Sequence, residues 1–99
     1  ILMQGQILKL AQEVTGSQNV DKAVTIALES YLEQKIAEYK QMAKSLTEKY
    51  GVGFSEFKEM LGTQLTLTWE HEKDYMDWEE AVTNLEYFES ALERLKAYA

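Results

Sequence analysis

The chain of 99 residues contains no cysteine and no proline. The first absence excludes a disulfide scaffold, a thiolate metal site and a cysteine nucleophile. The second means that only glycine and local turn chemistry interrupt a helix. Glycine itself is scarce, at Gly5, Gly16, Gly51, Gly53 and Gly62. A single histidine, His71, is too few for a histidine-rich metal centre and leaves a Ser-His-Asp triad strained. No apolar run approaches the roughly 18 residues of a membrane span. Residues 1–6 lack a basic stretch followed by a long apolar one, so no signal peptide is expected and the expected location is the cytoplasm.

Ninety-nine residues suffice for one domain but not for two independent cores. The net charge is −7, from 17 acidic and 10 basic side chains. Residues 1–50 hold six acids and six bases, whereas residues 51–99 hold eleven acids and four bases. The whole imbalance belongs to the second half. Phosphate binding needs clustered Lys and Arg, so nucleic acid is a poor partner for that half. A basic partner suits it, because opposite fields steer and hold charged proteins.

The last four glycines divide the chain into four segments, and each reads as helix. In segment 6–15, Ile7, Leu10, Ala11 and Val14 form a helical stripe. Gly16 then serves as a left-handed cap, and Asn19 or Ser17 can accept amide hydrogen bonds at the next helix start. Segment 20–50 carries Val24, Leu28, Leu32, Ile36, Tyr39, Ala43, Leu46 and Tyr50 at near-heptad spacing. Ala23, Ile26, Ala27 and Tyr31 widen its apolar surface in the first half. Segment 55–61 is a short helix with Ser55 as its N-cap and Phe54, Phe57 and Leu61 on one face. Residues 63–68 alternate in character, but a lone strand has no partner here, so they read as a connector. Segment 70–98 is a second long helix with the stripe Trp78, Val82, Leu85, Phe88, Leu92 and Leu95.

Residues 69–80 hold six carboxylates, one histidine, one lysine and three aromatics. Helical spacing brings Glu70 and Asp74, or His71 and Asp74, together as metal ligands do. Acids near a helix start also complement the dipole, which accounts for the same residues without a metal. Aromatics among acids equally suit recognition of a basic, partly apolar partner. On that reading Trp69, Asp74, Tyr75, Asp77, Trp78 and, further along, Tyr87 contact the partner. On the other, Trp69, Tyr75 and Trp78 pack on the long helix. No glycine-rich phosphate loop and no catalytic constellation is present, so no enzyme activity and no cofactor are expected.

Residues 8–32, with Ala11, Thr15-Gly16, Ala23-Val24, Ala27-Leu28 and Tyr31-Leu32, resemble the helix–turn–helix portion of ribbon-helix-helix antitoxins of the VapB type. The stretch from Lys49 to Phe57 and the acid- and tryptophan-rich helix after it resemble the tails of small proteins that look like antitoxins. The resemblance implies a homodimer that holds DNA through an amino-terminal β-ribbon and a toxin through its carboxy-terminal part. A ribbon strand takes about five or six residues, and only residues 1–6 precede the first helix, with Gly5 among them and Gln4 and Gln6 as reading side chains. The strand is thus absent or vestigial, and the resemblance implies dimerisation more than DNA binding. Ser17 and Asn19, near the start of the second helix, are the candidates for phosphate contact.

The expected architecture is all-α: a short helix, a long helix, a short helix and a long helix, associating as a helical homodimer. Residues 1–50 form a dimerising helix pair with Val24, Leu28, Tyr31 and Leu32 at the interface, and residues 51–99 form an acidic, aromatic helical region of the same domain. The expected function is an antitoxin-like interaction module that neutralises a basic toxin through its acidic half. The alternatives are a ribbon-helix-helix DNA-binding repressor and a carboxylate-rich helical metal protein.

Overall fold

Gly16, Gly51 and Gly62 adopt positive φ, at 71°, 72° and 88°, a region that side chains with a Cβ rarely enter. They stand where the helices end. In the computed structural model, which describes residues 5–98, four helices follow one another: α1 (Gly5–Thr15), α2 (Val20–Tyr50), α3 (Phe54–Met60) and α4 (Trp69–Tyr98). The fold is all-α. Among the described residues the sole extended pairing is an isolated bridge between Leu61, just past α3, and Leu65, in the connector expected at 63–68. Gly5 and Gln6 belong to α1; the rest of the stretch where a ribbon strand was expected to be absent or vestigial, residues 1–4, lies outside the described residues.

Asn19 caps α2, its Oδ1 accepting from the Lys22 amide at 3.1 Å. Gly51 closes α2, its amide donating to the Thr47 carbonyl at 2.8 Å. The start of α3 departs from expectation. Its N-cap is Gly53, and Ser55 already lies inside the helix. Phe54, which packs against the core, is already helical, and no side chain caps the start of α3.

α2 and α4 run antiparallel as a hairpin, giving a body of 58 × 25 × 23 Å. Tyr50 lies beside Trp78 at one end, and Tyr39 beside Phe88 further along. α1 packs on α2, and Ala23 in the first turn of α2 is fully buried. The aromatic core occupies the closed end of the hairpin. Leu46, Phe57 and Trp78 are buried there, ringed by Ala43, Tyr50, Val52, Phe54, Leu65, Tyr75 and Val82. Burying side chains of the size of Phe57 contributes about 1.5–3 kcal/mol each, which explains why a seven-residue helix holds its place.

Two expected contact residues are corrected by this packing. Trp78 is 2% exposed and stacks among Phe54, Phe57 and Tyr50; its indole is core and presents nothing to a partner. Leu32 is 5% exposed, buried within its own chain rather than held out as a dimer contact. The division at residue 50 falls at the hairpin bend, and the two halves share one core.

Candidate partner-binding surface

At the closed end α4 begins after the connector, with the Thr68 hydroxyl accepting from the His71 amide at 3.2 Å. The His71 Nδ1 lies 2.6 Å from the Thr66 carbonyl oxygen. This ties the first turn of α4 to the connector that precedes it. Between them opens a cleft lined by Leu61, Trp69, Glu72, Tyr75 and Met76. Trp69 is 71% exposed. Tyr75 backs onto Phe54, with ring centres 5.6 Å apart, and the nearby Glu79 carboxylate raises the pKa of its phenol. A large indole left in water beside a thioether and a carboxylate is what a recognition surface needs and a core does not.

Beside the cleft lies an ionic cluster. The Lys49 ammonium donates to Glu70 Oε1 at 2.8 Å and to Asp74 Oδ2 at 2.6 Å. The Tyr50 hydroxyl donates to the same Asp74 oxygen at 2.5 Å. Burial pushes the Asp74 carboxyl up, but the hydrogen bonds from Lys49 and Tyr50 outweigh it and the net shift is downward. The Tyr50 phenol is raised to about 12, by burial first and then by its bond to Asp74. Lys49 is raised by its hydrogen bonds to Asp74 and Glu70. Glu70 and Asp74 therefore converge as their spacing predicts, but on an ammonium group. Among the described residues no three of His, Asp and Glu converge as a metal site would require.

The six expected partner contacts do not form one surface. Trp69 and Tyr75 share the cleft. Asp74 is tied to Lys49 and Tyr50, and Asp77 to Lys73 at 2.7 Å. Tyr87 stands 18 residues beyond Trp69, about 27 Å along α4. It meets Phe88 edge-on at 5.3 Å, and Phe88 in turn contacts Tyr31 at 6.3 Å and Tyr39 at 6.0 Å. Tyr87 is thus exposed and far from the cleft, next to the residue through which α4 meets Tyr31 and Tyr39 of α2. Of the phosphate candidates, Ser17 is buried with its hydroxyl donating to the Asn19 carbonyl at 3.2 Å, and the Asn19 side chain caps α2. Both are engaged in the turn between α1 and α2.

Leu61, Glu72 and Met76 were not visible as site residues in the sequence. Leu61 enters through the path of the connector, which no local pattern encodes. Lys49 and Tyr50 had a usable signal: they end the long helix just before the Gly51 turn, where the opposing helix must return with its acids.

No helix among the described residues is long and apolar enough to cross a membrane. Residues 3–98 match the Uncharacterized protein MJ0235 family. No curated protein and no solved structure matches the chain.

Proposed function

The chain belongs to the Uncharacterized protein MJ0235 family, and we propose that it is an antitoxin-like interaction protein whose acidic closed end binds and neutralises a basic protein partner. The observation that carries this reading is the cleft of Leu61, Trp69, Glu72, Tyr75 and Met76, set within a stretch of six carboxylates and one lysine. The apolar floor anchors a partner side chain and the carboxylates steer its basic surroundings. Asp74 and Asp77 add to the field; the Asp74 pair with Lys49 ties α4 to α2, and the Asp77 pair with Lys73 lies within α4. The chain acts as a homodimer on this reading, with Val24, Leu28 and Tyr31 on the pairing side. The resemblance of residues 8–32 to VapB-type antitoxins supports both the pairing and the kind of partner.

The test is co-expression with the product of the adjacent gene, followed by size exclusion at low and high salt. The reading expects a co-eluting complex that weakens as salt rises. Replacing both Trp69 and Met76 by Ala should weaken that complex at least about 30-fold, the range of an anchor residue. Failure of any complex to form removes the reading.

A further inference from the structure

The exposed apolar side chains of α4 are aligned. Trp69, Met76 and Tyr87 are 71%, 52% and 60% exposed. They stand seven and eleven residues apart, close to two and three whole turns of an α-helix. The three therefore lie within about 20° of one line along the helix, over about 27 Å. Trp78 and Val82, on the far side of α4, pack in the aromatic core. The outer side of such a helix ordinarily carries polar residues alone. Single exposed apolar residues are common on a surface, but large ones in register along a helix are the pattern by which a partner helix is seated.

Carboxylates flank this line. Glu72, Glu79 and Glu80 are exposed and lie within about 80° of it. The ion pairs of α4 engage Glu70, Asp74 and Asp77 instead, so Glu72, Glu79 and Glu80 have no cation among the described residues. Lys73, the base on this face, is already taken by Asp77. Beyond Tyr87 the same line runs on to Tyr98 but passes Arg94, so the acidic part of the track ends at Tyr87.

We propose that the outer face of α4, from Trp69 to Tyr87, docks a basic amphipathic helix of a partner protein laid lengthwise along it. The proposal rests on the reading that the closed end binds a basic protein. It extends that contact from the cleft to Tyr87 and gives the partner segment its form. Two helices side by side share the rise of about 1.5 Å per residue. Apolar residues at matching intervals on the partner then meet Trp69, Met76 and Tyr87 in turn, and Lys or Arg beside them meet Glu72, Glu79 and Glu80. Trp and Tyr are the side chains that most often anchor an interface. Charge selects the occupant. A second copy would bring its own unpaired carboxylates against these, and nucleic acid is repelled in the same way. A neutral apolar helix would strip water from the three carboxylates and return nothing for it.

The experiment is fluorescence anisotropy of labelled peptides titrated with the full chain, with circular dichroism to check that each variant is folded. Three peptides of about 20 residues, about 30 Å long when helical, serve as probes. One is built of leucine, alanine and lysine with its leucines on one face. The second has glutamate for each lysine, and the third is the first with two central prolines. The lysine peptide should bind, more weakly as salt rises, and the other two should bind at least about tenfold more weakly. Y87A should weaken the lysine peptide about tenfold, E79Q/E80Q should flatten the salt dependence, and Y98A should bind as the wild type does. A proline peptide as tight as the lysine peptide overturns the helical form of the partner, and a glutamate peptide as tight overturns its charge. Y87A as tight as the wild type, with W69A/M76A weakened, overturns the track and leaves the cleft reading standing. A lysine peptide held by the wild type and released by Y87A, with no complex from the adjacent gene's product, upholds the track and removes the toxin reading. Failure of the lysine peptide to bind overturns the docking face, whatever the co-expression shows.

Discussion

Tyr50 and Asp74 are 24 residues apart in sequence and share one hydrogen bond of 2.5 Å, donated by the phenol to the carboxylate. The bond ties the last residue of α2 to the second turn of α4, across the closed end of the hairpin. Tyr50 reaches it while stacking on Trp78 and Phe57, so the polar tie and the aromatic core hold the same ring. Replacing Asp74 by Asn keeps the volume and removes the charge. The buried phenol then loses its charge-assisted acceptor, a loss of about 1–2 kcal/mol. A domain of this size should melt roughly 4–8 °C lower for each kcal/mol, read by circular dichroism. Y50F, which leaves Asp74 paired with Lys49, should fall less.

The same pair sets a pH window. Asp74 has its folded pKa lowered, so the stability it contributes is present above the unfolded carboxyl value of about 4 and is lost as pH falls through the lower folded one. Tyr50 has its folded pKa raised to about 12. Its contribution is complete below the ordinary tyrosine value of about 10 and is lost as pH rises from there through the folded value. Lys49, raised by the same carboxylates, acts in the alkaline direction too. Urea unfolding from pH 3 to pH 12 should therefore show losses at both ends. D74N should flatten the acid limb, and Y50F should remove the tyrosine share of the alkaline one. An acid limb unchanged in D74N would assign it to other carboxylates.

Gly51 and Gly53 stand two residues apart and should respond differently to alanine. Gly51 has φ 72° and nothing within 4 Å of an added Cβ, so the cost of G51A is conformational alone, about 1 kcal/mol. Gly53 has φ −79° with the same open space. Alanine fits there, and the less flexible unfolded chain makes G53A neutral or slightly stabilising. Chemical denaturation of the two variants separates these outcomes, and equal losses would contradict the assigned cause.

The helices were legible because glycine alone punctuates this chain. Gly16, Gly51 and Gly62 are the left-handed residues, and the apolar stripes between them already mark α2 and α4. What local pattern could not give was the path from Gly51 to Trp69. Ser55 reads as a cap from its chemistry, yet α3 already includes Phe54, which packs against the aromatic core. That placement of α3 also decides which aromatics of the acidic stretch are covered. Phe88 shows the complementary failure: its neighbours Tyr31 and Tyr39 meet it only once α4 has folded back along α2.

Trp69 and Trp78, nine residues apart in one acidic stretch, test that lesson directly. Trp78 fills the core against Phe54 and Phe57, and truncating it to Ala should cost about 3–5 kcal/mol, the range for a buried aromatic. Trp69 is 71% exposed, and W69A should change stability by less than about 0.5 kcal/mol. Fluorescence separates the two indoles in the folded chain. Emission lost in W69A should be the red-shifted, quencher-accessible part, because that indole sits in water, and what remains should be blue-shifted and protected. A partner that seats in the cleft should shift the Trp69 emission to the blue and shield it from iodide, while leaving the Trp78 component where it was. If the partner binds and the accessible component does not move, the contact lies elsewhere on the acidic half, and the cleft loses its place as the anchor.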